Sequence, residues 1–65
     1  MAFSASRLKM LYERQLTMIR EMQQELRDVL DQPHLPERHH ALARVKLERL
    51  DRLCEVIEQS LQELT

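Results

Sequence analysis

The chain has 65 residues, ten basic and eleven acidic side chains, no glycine, two prolines and one cysteine. That length is one unit, 1–65, with too little core to stand comfortably alone, and a formal charge of −1 argues against a binder whose affinity comes from neutralising many phosphates. The single Cys54 excludes an intrachain disulfide framework, Met1 to Ser6 lack the apolar core of a signal peptide, and no stretch approaches the roughly 20 apolar residues of a membrane span, so a cytoplasmic chain is expected.

Arg, Lys, Glu, Gln, Leu, Met and Ala dominate, the residues that lose least on entering a helix, so the expected class is all-α. Ser4 is suited to cap the first helix, and Phe3 with Leu8 occupy the two positions of a hydrophobic staple. From there nothing stops the helix before Pro33, which places helix one at about 5–31. Its apolar ladder reads Leu8, Tyr12, Gln15, Ile19, Met22, Leu26 and Val29, with Leu11, Leu16 and Met18 widening the stripe on both shoulders. Only Met10 points away from it.

Residues 32–35 form the turn, with Pro36 expected at the first helical position, where a missing amide costs nothing, and Glu37 at the positive end of the helix dipole. Helix two then runs over about 36–63, frayed from Ser60 onward. Its ladder is His40, Ala43, Leu47, Leu50, Cys54, Ile57 and Leu61. Folding the chain at the prolines pairs the two ladders with a constant sum of 69, from Leu8 with Leu61 to Val29 with His40. The expected fold is therefore an antiparallel two-helix hairpin, with Gln15 opposite Cys54 as its one polar rung. Each helix covers one side of the other only, so the hairpin is expected to complete a four-helix bundle, by dimerisation or with a partner chain.

Helix two carries a second stripe about 120° from the ladder at roughly 100° per residue: Leu42, Val45, Leu53 and Val56. An apolar strip rimmed by charge marks a binding surface, so Leu42, Val45, Arg49, Leu53 and Val56 are the candidate partner-binding residues. Arg38, Lys46, Arg49 and Arg52 share that face. They form the alternative, a basic patch for RNA or DNA, although aliphatics interrupt it and no exposed aromatic offers a stacking platform. His34, His39 and His40 lack the spacing that puts two metal ligands on one helical face, Cys54 lies turns away, and no pocket of convergent titratable groups is legible. No metal, cofactor, small-molecule substrate or enzyme chemistry is expected.

Two helices joined by a tight turn, with Leu35-Pro36-Glu37 opening the second, resemble the short cytosolic co-chaperones of type III secretion systems that hold the needle subunit before export. The hairpin plan is also similar to Rop-type four-helix-bundle RNA regulators. The first resemblance implies a chaperone-like protein partner and the second an RNA. Neither assigns a role to a particular residue. The functional expectation is a non-enzymatic interaction module, an adaptor, co-chaperone or small regulator that binds itself or an amphipathic helix of another protein.

Overall fold

Residues 5–30 contain no glycine or proline and only three β-branched side chains, so nothing interrupts helical hydrogen bonding until the Gln32-Pro33 step. In a computed structural model, which describes residues 4–64, this stretch is one helix, α1 (Ala5–Leu30). It is followed by α2 (Glu37–Glu63), packed antiparallel against it, and the described residues are otherwise turn. The hairpin is a rod of 52 × 18 × 15 Å.

The helix ends differ from the sequence reading in detail. Ser4 is extended, and its hydroxyl makes no capping bond; its carbonyl accepts the Leu8 amide at 3.1 Å. The staple expected of Phe3 lies outside the described residues. Pro36 stands one place before the first helical position. Its ψ of 146° is extended, and its carbonyl accepts the His39 amide at 3.0 Å, so the helix opens on Glu37. Asp31 closes α1 in a right-handed conformation, its amide donating back to Arg27 at 3.1 Å.

No described residue has a positive φ, so the chain reverses without the left-handed position that usually calls for glycine. The Leu35 amide donates to Gln32 at 3.3 Å, and the His40 ring donates through Nε2 to the same carbonyl at 2.8 Å. His40 thereby ties the first turn of α2 to the loop.

On α2 the whole expected ladder faces α1: Ala43 and Ile57 are buried, and His40, Leu47, Leu50, Cys54 and Leu61 are partly buried. On α1 the seam is turned by one position. Leu8, Tyr12, Ile19, Leu26 and Val29 hold their places, but Gln15 and Met22 are exposed, while Leu16 and Gln23 are buried. The core cluster is Leu16, Ile19 and Ile57, with Tyr12, Leu50, Cys54 and Leu61 packed against it.

The pairing slides with the rotation. A constant sum of 69 sets Gln23 opposite Lys46, yet Gln23 donates through Nε2 to Asp51 at 2.7 Å, more than a turn further along α2. The polar rung is thus Gln23 with Asp51, not Gln15 with Cys54. The two candidate stripes, 15-22-29 and 16-23-30, each offer two hydrocarbons and one glutamine, so apolar burial hardly separates them. A buried amide must find a partner or cost a few kcal/mol. Asp51 supplies an ionised acceptor for Gln23, whereas Gln15 would meet a thiol. No buried side-chain nitrogen or oxygen among the described residues is left without a partner.

A double-mutant cycle checks this account. Asp51→Ala strands the Gln23 amide and is expected to cost about 1–3 kcal/mol in urea melts. In a Gln23→Leu background the same change is expected to be nearly neutral. Equal costs in both backgrounds would show that the bond does not set the seam.

Candidate partner-binding face

The two long sides of the hairpin differ in chemistry. Along one, here the back, polar groups bridge the helices or brace α2: Gln23 to Asp51, Arg20 to Glu58 at 3.5 Å, and Arg44 to Glu37. The last pair sits with His40, whose Nδ1 lies 3.6 Å from the Glu37 carboxylate. The Arg44 guanidinium, by hydrogen bond and charge, holds the Glu37 carboxyl below its ordinary value of 4.5. The two ion pairs are exposed links of small individual energy, whereas the Gln23 to Asp51 bond is partly buried.

The front is an open trough between the helices. Its middle is a hollow of about 490 Å³ lined by Met22, Glu25, Val29, Lys46, Arg49 and Leu50, with Leu26 at its floor. Met22 carries the trough on toward Met18 and Leu53. Val29 and Lys46 carry it the other way, to Leu42 and His39 near the turn. The first hollow shares Met22 with the second and Leu26, Val29 and Lys46 with the third, so the three adjoin along the front. The trough exists because the seam turned: burying Gln23 in place of Met22 rolls a methionine-rich flank of α1 to the front.

Of the residues singled out in the sequence, Leu42, Lys46, Arg49 and Leu53 line the trough. Val45 and Val56 are outside its walls, on the outer flank of the same face, where both are exposed. Arg38 and Arg52 are exposed beside them. The α1 wall was missed in the sequence. Gln15, Met18, Met22, Glu25 and Val29 follow a four-and-three ladder of their own, but four of them also fit the seam or its shoulder, which hides the outward stripe.

The exposures are large for such side chains: Met18 57%, Met22 48%, Leu42 53%, Leu53 46% and Val56 58%. Lone apolar residues at a surface need no explanation, but a contiguous strip on both helices marks an interaction surface. Methionine suits such a surface because its flexible thioether adapts to differently shaped partners. Among the described residues no ion pair or hydrogen bond engages Glu25, Lys46, Arg49 or Arg52. The front thus presents hydrocarbon edged by unspent charge.

Cys54 packs in the seam, where burial, helped by Glu58, pushes its thiol above the ordinary value. A thiol raised in this way holds less thiolate near neutral pH. Among the described residues no three His, Cys, Asp or Glu side chains gather as a metal would need, and no helix is long and apolar enough to cross a membrane. Comparison with protein-family models, with curated proteins and with solved structures finds no match to this chain.

Proposed function

We infer that the chain is a non-enzymatic helical interaction module that binds through the front of the hairpin, docking an amphipathic helix or a second copy of itself. The observation that carries this reading is the run of three adjoining, largely apolar hollows from Met18 to Leu42, open to solvent, with polar links along the opposite side. An adaptor, co-chaperone or small regulator all use a surface of this kind. A small-molecule site would instead enclose most of its ligand.

Stability gives the test. A single hairpin of this size has at most about 3–5 kcal/mol from its own core, so a partner on the front is expected to raise its melting temperature by mass action. The expected result is melting that shifts upward with chain concentration, or upward on adding a cognate partner. A monomer that melts cooperatively at a high temperature, unmoved by concentration and by serine substitutions on the front, would remove the need for any partner.

The second reading, contact with a nucleic-acid backbone, is favoured by one observation: Arg38, Lys46, Arg49 and Arg52 project from one flank with no counter-charge bonded to them. Leu42, Val45 and Leu53 interleave them, which is the pattern of an interface rim more than of a phosphate track. Binding that falls steeply with salt would turn the balance.

A further inference from the structure

We propose that the occupant of the front is a second copy of this chain, docked with both turns at the same end, so that α1 of each copy lies along α2 of the other. This rests on the interaction reading above and adds to it the partner and the orientation.

Three observations lead there. The first is area. The chain exposes 5456 Å², whereas a compact monomer of 7.8 kDa exposes about 4,400 Å² by the usual scaling. The surplus of about 1,000 Å² is close to the roughly 800 Å² that each partner covers in a standard interface. The second is width. One helix laid in the trough would cover Met22 and Leu53 but leave Val45 and Val56, outside its walls, in water. A two-helix face covers both the trough and its flanks.

The third is the order of charges along the front. On α1, Arg7 and Arg14 come first and Glu21 and Glu25 follow; on α2, Lys46, Arg49 and Arg52 precede Glu63, which is seven residues, two turns, beyond Val56 on the same flank. The helices are antiparallel, and Glu25 already lies level with Lys46 and Arg49 across the trough. A twofold axis along the rod therefore sets Glu21 and Glu25 of one copy against Lys46, Arg49 and Arg52 of the other, and Arg7 against Glu63 at the open end. The alternative, with turns at opposite ends, puts α2 against α2. Lys46, Arg49 and Arg52 straddle the midpoint of that helix, so they would face their own copies as like charges. Such juxtaposition selects orientation more than it adds affinity.

Two experiments test this. Sedimentation compares the wild type with two charge-reversed chains, Glu21→Lys/Glu25→Lys and Lys46→Glu/Arg49→Glu. The wild type is expected to be a dimer at micromolar concentration. Each reversed chain alone is expected to dimerise at least about tenfold more weakly, and an equal mixture is expected to recover a one-to-one dimer, because opposite charges then meet at both contacts. Pulsed electron spin measurements, on His34→Cys carrying a spin label in a Cys54→Ala background, read the orientation without altering the charges. Turns at the same end give a short distance, whereas turns at opposite ends give one approaching the 52 Å length of the rod. A wild-type chain that stays monomeric while its melting temperature rises with another helical protein would overturn the second copy and leave the interaction reading intact. A dimer with a long label distance, or a mixture that remains monomeric, would overturn the orientation.

Discussion

Ile57→Ala is expected to leave the isolated hairpin largely unfolded at room temperature. Ile57 is 6% exposed and belongs with Leu16 and Ile19 to the only cluster of buried aliphatics among the described residues. Truncating a buried isoleucine to alanine costs about 2–5 kcal/mol, as much as the whole stability available to a chain of this size, about 3–5 kcal/mol. The local structure offers no reserve, since two helices cannot close around a void as a larger core can. Circular dichroism at low micromolar concentration should show loss of most of the helical signal, and raising the concentration should restore part of it if assembly adds stability. Met10→Ala, at a side chain 61% exposed, should change nothing measurable. An Ile57→Ala chain that melts cooperatively within about 1 kcal/mol of the wild type would show that the cluster does not hold the fold.

The hairpin was readable because its signals agree. The absence of glycine within the helices, the two prolines three residues apart and the α2 ladder all agree on the same reversal. The rotation of α1 was not readable from apolar spacing, because Tyr12, Ile19 and Leu26 belong to both stripes and only the neighbours differ. What decides between them is the Gln23 to Asp51 bond, a link between residues 28 positions apart that no local pattern announces. The same ambiguity hid half of the candidate face. The outer stripe of α2 stands out because Leu42, Val45 and Leu53 have no place on its ladder, whereas Met18 and Met22 fit theirs. Polar pairing across the seam thus determines which hydrocarbon is left exposed.

Met22→Ser with Leu53→Ser is expected to abolish association through the front while removing only part of the hairpin's own stability. These side chains are the facing walls of the trough, one on each helix, and about half of each is exposed. Burying the exposed half of a leucine or methionine stabilises by about 1 kcal/mol, taken from roughly 1.5–3 kcal/mol for the whole side chain. A symmetric dimer covers four such sites, so the double change removes roughly 3–6 kcal/mol after allowing for the newly buried hydroxyls, a weakening of about two to four orders of magnitude in Kd. With a single foreign helix in the trough only two sites are lost, and the expected weakening falls to about tenfold to a hundredfold. Within the monomer each serine costs about 0.5 kcal/mol of helix propensity and about 1 kcal/mol for the half of the side chain already covered by the hairpin, less than the loss at a core site because neither residue is among the buried core residues. Sedimentation for self-association, or titration calorimetry with a helical partner, measures the first effect, and circular dichroism the second. Undiminished association with both serines in place would mean that partners meet this chain on another surface. Loss of helicity in step with loss of association would mean instead that the monomer has no fold of its own without the front covered.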